Sequence, residues 1–333
     1  MLVVAPSWIG DALMSQALLI RLAASAPAPA IDVLAAPALQ PLYRRMAEVR
    51  EVIVHSFAHG RFDLAARRRL GRQLAGRYER AFVLPNSWKS ALVPWLAGIA
   101  RRSGYLGEVR FGLLNDWRRL DAAALPRLVD RYAALAGGAG PPLATPAEHP
   151  RLVSTPEQQA AVRRDFGLSA DVRPLIFCPG AEYGPAKRWP AAHFAVLARL
   201  VATPAAPVLL LGGPNDVASG RAIAETAAGC ALDLCGRTTL DQAIDLIAGA
   251  RAVVSNDSGL MHVAAALDRP LLALYGSSSP AYTPPLSAQA RILSLALACA
   301  PCFRRQCPQG HTRCLVDLSP ARVAEALQSL PQE

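Results

Sequence analysis

The residues with the clearest chemical potential lie in a glycine-rich loop at residues 178–190. The loop contains Gly180, Gly184 and the adjacent cations Lys187 and Arg188, and it follows an apolar run that predicts a buried strand. A loop of this kind between a strand and a helix can hold an anion. Lys187 is one of only two lysines among 35 basic residues, so a flexible point charge stands where this sequence usually has arginine. The alternative is a solvated connector in which the lysine has no special task.

A second candidate anion site lies at residues 255–262, where another predicted strand gives way to a helix. Its candidate residues are Asp257, Ser258, Gly259, Leu260 and His262. The first turn of a helix exposes backbone N–H groups, and a glycine lets a phosphate approach them closely. Taken alone, the polar residues suit helix capping and the histidine suits a hydrogen-bonded core. Taken together with the Lys187 loop, they favour a diphosphate pocket.

The first predicted strand is followed by a similar turn, which contains Ser7, Gly10 and Asp11. A carboxylate at this position could take a proton from an acceptor hydroxyl. A helix N-terminus lowers the pKa of a carboxylate and makes it a weaker base, so Asp11 could also be a simple N-cap.

A further strand–turn–helix loop, at residues 211–216, ends in Asp216. Its place after a predicted strand would bring Asp216 to the same edge of the sheet as Lys187, where it could meet a base or a ribose. The loop could equally be an ordinary turn.

Short apolar runs alternate with amphipathic segments along the sequence. Strands are predicted at residues 2–5, 31–35, 52–55, 81–84, 175–178, 208–211, 253–255 and 271–275. Helices are predicted at residues 11–24, 39–47, 62–78, 87–97, 191–201, 216–228, 240–250, 259–267 and 320–330. This alternation is typical of α/β proteins with doubly wound parallel sheets.

A glycine- and proline-rich segment at residues 137–150 predicts a linker. We therefore predict a first domain at residues 1–150 and a second at residues 151–333, with a ligand cleft between them at the carboxyl ends of the strands. The last predicted helix could pack on its own domain or back on the first one.

The net charge of +10 is unevenly distributed. Residues 1–150 hold 19 basic and 11 acidic residues, whereas residues 151–333 hold 16 and 14. The densest basic stretch, residues 61–80, includes Arg67 and Arg68, and it suits a phosphorylated substrate, an anionic membrane or a solvated helix face. Nucleic acid is least favoured because no recognition motif accompanies the charge. No apolar stretch of about 18 residues and no signal peptide is evident, so we expect a cytoplasmic protein.

Four of the seven cysteines form a cluster near the C-terminus with His311. The cluster contains Cys299, Cys302, Cys307 and Cys314. The C-x-x-C pair suits a metal, but the other spacings match no zinc pattern, so a thiol-rich structural loop is favoured over a metal site.

Three familiar phosphate-binding or metal-binding patterns are missing from the sequence. It has no G-x-G-x-x-G, no G-x-x-x-x-G-K-[ST] and no Asp-x-Asp. The first two absences argue against a dinucleotide oxidoreductase and a P-loop NTPase. A bound diphosphate would therefore depend on cations and a helix N-terminus. We expect no required cofactor, and a role for a divalent cation stays open.

Three segments in order along the chain resemble the ADP-heptose:lipopolysaccharide heptosyltransferases of glycosyltransferase family 9. They are Ser-Trp-Ile-Gly-Asp at the start, Pro-Gly-Ala-Glu-Tyr-Gly-Pro-Ala-Lys-Arg-Trp-Pro in the middle, and Ser-Asn-Asp-Ser-Gly-Leu-Met-His-Val-Ala-Ala-Ala-Leu later. The type II enzymes are most similar, because Glu182 and Tyr183 stand where type I enzymes carry hydroxyl residues and the cysteine segment also looks like type II.

The resemblance implies a GT-B fold, in which two Rossmann-like doubly wound domains face a central cleft. It implies inversion in a single displacement, with Asp11 as general base and Lys187 neutralising the leaving diphosphate. It implies donor contacts by Lys187, by residues 257–260 and by His262, and the donor-binding residues that we predict are Gly180, Lys187, Asp216, Asp257, Ser258, Gly259, Leu260 and His262. The acceptor-binding residues that we predict are Ser7, Gly10, Asp11, Arg67 and Arg68.

The resemblance also implies the substrates. The donor would be ADP-heptose and the acceptor a phosphorylated lipopolysaccharide inner core that already bears one heptose. A type I enzyme acting on Kdo-lipid A, or another GT-B glycosyltransferase, is the alternative. We expect a monomer that contacts the anionic inner leaflet peripherally, on the cytoplasmic face of the inner membrane, and binds no nucleic acid.

Overall fold

The computed structural model describes residues 1–57, 62–137, 146–170 and 172–331. The chain divides into two compact units, Met1–Pro150 and Arg151–Glu333. Each unit contains one six-stranded parallel sheet. Most of the predicted linker, residues 138–145, lies outside the described residues, as does Arg61 of the basic stretch.

The first unit alternates strands and helices, as the apolar pattern predicts. Its strands are Leu2–Val4 (β1), Ile31–Ala35 (β2), Val49–Val54 (β3), Arg80–Val83 (β4), Arg101–Tyr105 (β5) and Asp116–Arg118 (β6). Its helices are Ile9–Met14 (α1), Gln16–Ala23 (α2), Gln40–Arg44 (α3), Leu64–Leu74 (α4), Leu92–Leu96 (α5) and Leu128–Ala134 (α6).

The second unit repeats the alternation. Its strands are Leu175–Cys178 (β7), Val208–Leu210 (β8), Ala231–Asp233 (β9), Ala252–Asn256 (β10), Leu271–Tyr275 (β11) and Ala290–Ser294 (β12). Its helices are Pro156–Asp165 (α7), Ala191–Val201 (α8), Val217–Thr226 (α9), Leu240–Ala248 (α10), Gly259–Ala266 (α11), Arg313–Val316 (α12) and Pro320–Gln328 (α13).

The two sheets share one topology. The order in the first sheet is β3-β2-β1-β4-β5-β6, and that in the second is β9-β8-β7-β10-β11-β12. Counted within each unit, both orders are 3-2-1-4-5-6, the order of a doubly wound Rossmann sheet. The strand order reverses between β1 and β4 and between β7 and β10, so the carboxyl ends of these pairs are the expected ligand sites.

The sequence predicts eight of the twelve described strands, including the edge strand β3, and misses β5, β6, β9 and β12. β1, β2, β7, β10 and β11 are buried along their full length, so their sequences are mostly apolar. β6 and β12 lie at the sheet edges and are largely solvent-accessible. These strands contain no long apolar run, so the sequence pattern does not predict them.

Each unit has its own hydrophobic core. Leu2, Val83 and Val93 lie in the core of the first unit, and Phe177, Phe194 and Leu272 lie in that of the second. The last helix, α13, adds Val323 and Leu327 to the core of the second unit and packs against α8. Among the described residues, no helix combines the length and the apolar character needed to cross a bilayer.

Candidate active site

Lys187 is ion-paired at the point where the strand order of the second sheet reverses. It ends a short 3₁₀ helix, Pro185–Lys187, in the loop after β7. Its Nζ donates to Oδ2 of Asp257 at 2.5 Å, and Asp257 directly follows β10. The side chains are only 18% and 5% exposed. The structure therefore brings together two residues that lie 70 positions apart in the sequence and were both predicted to bind the donor.

Asn256, which is not among the predicted site residues, forms hydrogen bonds to both ends of the Lys187 loop. Its side-chain amide donates to the carbonyl of Pro179 at 2.7 Å and accepts from the backbone N–H of Trp189 at 3.0 Å. Asn256 is fully buried, as is Trp189, whose indole N–H donates to the carbonyl of Leu318. Its position beside the motif residue Asp257 was the only available signal, since hydrogen bonding across neighbouring strands is not visible in a sequence.

Tyr183 supports the loop from another side. Its hydroxyl donates to the carbonyl of Phe303 at 2.8 Å. Its ring centre lies 5.2 Å from Nζ of Lys187 and 5.4 Å from the guanidinium carbon of Arg305, so two cations lie against one aromatic ring. Ala186, which precedes Lys187, donates its backbone N–H to the carbonyl of Arg305. The Lys187 loop is therefore held by the cysteine-containing segment as well as by β10.

The N-terminus of α11 presents backbone N–H groups that its N-cap side chain does not occupy. Ser258 is the N-cap residue, but it makes no capping hydrogen bond. Its hydroxyl instead lies 3.2 Å from that of Ser255. Of the two alternatives, the structure therefore does not support side-chain capping by Ser258. The first turn, with Gly259 and Leu260, keeps the geometry of an anion site.

His262 lies one turn further along α11 and is buried. Burial lowers its pKa to about 4; the nearby carboxylate of Asp257 opposes this shift and the ammonium of Lys187 adds to it. The imidazole is therefore neutral near pH 7, and it would donate to an anion as a neutral N–H group rather than as a cation.

The side chain of Asp216 packs against Gly180 and Gly212, which have no side chain to block it. Its Oδ2 accepts from the backbone N–H of Gly213 at 3.0 Å, and Arg188 lies 3.6 Å from Oδ1. A side chain at Gly180 or Gly212 would collide with Asp216. Burial raises the pKa of Asp216, against the opposing effects of the Gly213 N–H and Arg188. Gly180 is thus required to accommodate Asp216, a contact that the sequence did not reveal.

In the first unit, Asp11 lies in the first turn of α1, next to the carboxyl end of β1. Ser7 is exposed, and Gly10 and Asp11 are half-buried. Tyr43 is buried, and burial is the main cause of its raised pKa. The negative charge of Asp11 raises the pKa of Tyr43 further. The predicted helix 11–24 is in fact two helices, because the chain turns at Ser15, whose hydroxyl donates to the carbonyl of Ala12.

The two arginines predicted to bind the acceptor have different environments. Arg68 is exposed on α4, whereas Arg67 is buried. The guanidinium of Arg67 lies 4.1 Å from the ring centre of Phe57 and donates to the carbonyl of Lys89 at 3.0 Å, and burial lowers its pKa. Of the two, only Arg68 presents its side chain to solvent, because Arg67 packs inside the first unit.

The cysteine cluster surrounds one small cavity in the second unit. All four thiols, together with His311 and Ala186, line it. All seven cysteines of the chain are free thiols. Within the described ranges, no group of three or more histidine, cysteine, aspartate or glutamate side chains is arranged to hold a metal ion.

Two doubly wound parallel sheets define an α/β protein, and its similarity to solved heptosyltransferase structures assigns it to the GT-B class, which confirms the predicted fold class. The chain belongs to glycosyltransferase family 9: the family described as glycosyltransferase family 9 (heptosyltransferase) matches residues 67–313. This confirms the family resemblance and identifies the protein as a glycosyltransferase.

The similarity to individual family members extends over the full chain. The sequence is 48% identical to lipopolysaccharide heptosyltransferase 2 of Salmonella typhimurium, covering 100% of this chain and 98% of the relative. It is 47% identical to the Escherichia coli protein of the same name, covering 99% and 97%. A solved structure described as E. coli ADP-heptose lps heptosyltransferase II superposes with a TM-score of 0.89 at 45% identity, covering 98% and 97% of the two chains. These relatives favour a type II enzyme over a type I enzyme.

Proposed function

We propose that this protein is an inverting glycosyltransferase that moves L-glycero-D-manno-heptose from ADP-heptose to the first heptose of the lipopolysaccharide inner core. The observation that carries the proposal is the Lys187–Asp257 pair beside the free N-terminus of α11, at the β7/β10 reversal. The full-length similarity to proteins named lipopolysaccharide heptosyltransferase 2 supports the choice of substrates.

The donor diphosphate is proposed to bind between Lys187 and the first turn of α11. As the bond between the anomeric carbon and ADP breaks, negative charge grows on the departing phosphate. A preformed ammonium and helix N–H groups stabilise such charge without reorganising at the moment of reaction. Gly259, Leu260 and His262 would supply neutral N–H donors. Asp216, next to Gly180 and Gly213, would face the nucleoside portion of the donor.

Asp11 is the proposed general base. The acceptor hydroxyl oxygen attacks the anomeric carbon, its proton passes to the carboxylate of Asp11, and ADP leaves with the electron pair of the broken bond. A single displacement of this kind inverts the anomeric configuration. Protein groups are proposed to stabilise the negative charge on the departing diphosphate, so transfer is proposed to need no cofactor.

The acceptor is proposed to bind to the first unit, which carries the excess of positive charge. The inner core offers carboxylates and phosphates, for which exposed cations such as Arg68 are suited. Ser7 and Gly10 adjoin Asp11 and would contact the acceptor sugar. The same charge would draw the protein, as a monomer, to the anionic cytoplasmic face of the inner membrane, where it would contact the surface peripherally.

The deciding experiment compares two acceptors with ADP-heptose: a Kdo-terminated lipid A and the same molecule already bearing one heptose. We expect transfer only to the second acceptor, with formation of one ADP per heptose added. Transfer only to the first would make the protein a type I enzyme. If ADP binds but neither acceptor is used, the proposed acceptor is wrong.

A further inference from the structure

The cysteine cluster at residues 299–314 is a candidate site of its own, outside the proposed transfer chemistry. Its four thiols line a cavity of about 20 Å³, enough for roughly one water molecule. Cys299, Cys302 and Cys307 are half-buried, whereas Cys314 is buried. Several thiols therefore converge on one small space, and those on its rim are within reach of a small solute.

The pKa values of the Cys307 and Cys314 thiols are shifted in opposite directions. Backbone N–H groups surround the sulfur of Cys307, that of Thr312 most strongly, and lower its pKa. Burial raises the pKa of Cys314, and the neighbouring sulfurs, Cys307 among them, raise it further. An accessible thiol with a lowered pKa, lining the same cavity as a second and protected thiol, is the arrangement of a redox-active pair.

The same segment holds the Lys187 loop in place. The carbonyl of Phe303 accepts from the hydroxyl of Tyr183, and the carbonyl of Arg305 accepts from the backbone N–H of Ala186. A side chain at Gly184 would collide with the Arg305 backbone, so the two segments are in close contact. Because both contacts lie between Cys302 and Cys307, a covalent change at Cys307 acts on the segment that positions Lys187.

We propose that the cysteine cluster is a thiol-modification site, in which Cys307 reacts with a low-molecular-weight disulfide and Cys314 completes an intramolecular disulfide. The Cys307 thiolate attacks one sulfur of the small disulfide, forming a mixed disulfide and releasing one small thiolate. Cys314 then loses its proton and attacks the sulfur of Cys307, releasing the second small thiol. Two protein thiols are oxidised, one small disulfide is reduced, and the two protons end on the released thiols.

The expected consequence is weaker nucleotide binding, a step that rests on the proposed function of the Lys187 loop. Closing the disulfide shifts the segment whose carbonyls accept from Tyr183 and Ala186. We expect ADP affinity to fall about fivefold, the change that corresponds to losing one hydrogen bond. Reduction with dithiothreitol should restore it.

The test incubates the reduced full-length protein with oxidised glutathione, blocks the remaining thiols and maps the disulfides by mass spectrometry. ADP binding is measured by calorimetry before oxidation, after oxidation and after reduction. We expect a Cys307–Cys314 disulfide in the oxidised sample. In Cys314→Ser the reaction should stop at a glutathione adduct on Cys307, and in Cys307→Ser and Cys307→Ala neither product should form.

Cys230→Ser is the matched control, since Cys230 is a half-buried thiol outside the cluster; it should behave like the unaltered protein. A protein that stays fully reduced, a disulfide that omits Cys307, or a stoichiometric metal ion held by these thiols would each overturn the proposal. A Cys307–Cys314 disulfide with unchanged ADP affinity would overturn the coupling to the Lys187 loop. Failure of the reduced protein to bind ADP would instead contradict the proposed function, and the disulfide map would still decide the thiol site.

Discussion

Lys187 has an anionic partner within the protein, the carboxylate of Asp257. Its ammonium is largely buried against Asp257, so it is held in one place rather than moving as a surface lysine would. A bound diphosphate would become a second anion on the same cation. A substitution of Lys187 therefore affects both the proposed transfer and folding.

Replacing Lys187 with glutamine should lower kcat for heptose transfer by about 10²–10³, because one fixed stabiliser of the departing diphosphate is lost. The substitution also leaves Asp257 buried without its cation, so the free energy of unfolding should fall. The double variant Lys187→Gln/Asp257→Asn should regain stability without regaining transfer. Lys89→Gln alters the only other lysine and should leave ADP affinity unchanged. Normal turnover in Lys187→Gln would exclude the proposed role.

Asp11→Asn should reduce transfer by about 10²–10⁴, since the amide cannot accept the acceptor's proton. ADP binding should stay the same, because Asp11 lies in the first unit and the proposed donor residues lie in the second. Asp121→Asn, which alters an exposed carboxylate of the first unit, is the control. Single-turnover measurements with the heptose-bearing acceptor would show the effect, and an unimpaired Asp11→Asn would mean that another group takes the proton.

The burial of His262 predicts a pH-dependent stability. Its pKa is lowered from 6.5 to about 4 on folding, so between these values the unfolded chain binds a proton that the folded chain does not. The contribution of His262 to the free energy of unfolding is complete above pH 6.5 and declines as the pH falls toward 4, by at most about 3 kcal/mol. In urea unfolding at several pH values, the free energy of unfolding should fall more steeply with decreasing pH for the unaltered protein than for His262→Gln. Parallel curves would contradict the assignment.

At the scale of elements, the site depends on how β10 holds the loop that follows β7. Asn256 spans the two strands and fixes both ends of the loop with one side chain. The loop itself contains only a single short 3₁₀ turn before α8 begins. The position of Lys187 is therefore set by contacts from neighbouring segments rather than by its own secondary structure.

Asn256→Ala should destabilise the protein by about 2–3 kcal/mol, because the Trp189 N–H and the Pro179 carbonyl lose their buried partner. ADP affinity should fall as well, since the Lys187 loop is released at both ends. Asn256→Asp keeps the acceptor for Trp189 but loses the donor to Pro179. Equilibrium denaturation and calorimetry on both variants would check this. Unaltered ADP binding in Asn256→Ala would show that the contacts with the cysteine-containing segment hold the loop without Asn256.

At the scale of the whole molecule, the two units share a sheet topology but differ in charge. The net charge is +8 over residues 1–150 and +2 over residues 151–333. Similar folds therefore present different surfaces to an acidic partner. This asymmetry is the basis for assigning the anionic acceptor and the membrane contact to the first unit.

Vesicle binding should therefore depend on lipid charge and on salt. We expect the protein to sediment with anionic vesicles at low ionic strength and to be released as the salt concentration rises to about 0.5 M. It should not bind neutral vesicles. Arg68→Glu should weaken binding severalfold, whereas Arg164→Glu, at an exposed position of the second unit, should have little effect. Equal binding to neutral and anionic vesicles would contradict the proposed membrane contact.

Much of this protein can be derived from its sequence, because the features concerned are local. The central strands, the strand–turn–helix loops and the positions of Asp11, Lys187 and Asp257 follow from runs of apolar residues and from glycine next to polar residues. Both faces of a central strand are buried, so its apolar run is continuous. The family resemblance rested on the same short segments and was confirmed by similarity over the full chain.

Other features were decided only when distant segments packed together. The sequence did not pair Lys187 with Asp257, did not select Asn256, and did not distinguish the buried Arg67 from the exposed Arg68. It also missed the strands β5, β6, β9 and β12, which contain no long apolar run. These features depend on which side chains come into contact when distant segments pack, and on which of those side chains become buried. A linear pattern records the burial of a segment, but it does not record the partner that satisfies a buried charge or hydrogen-bonding group.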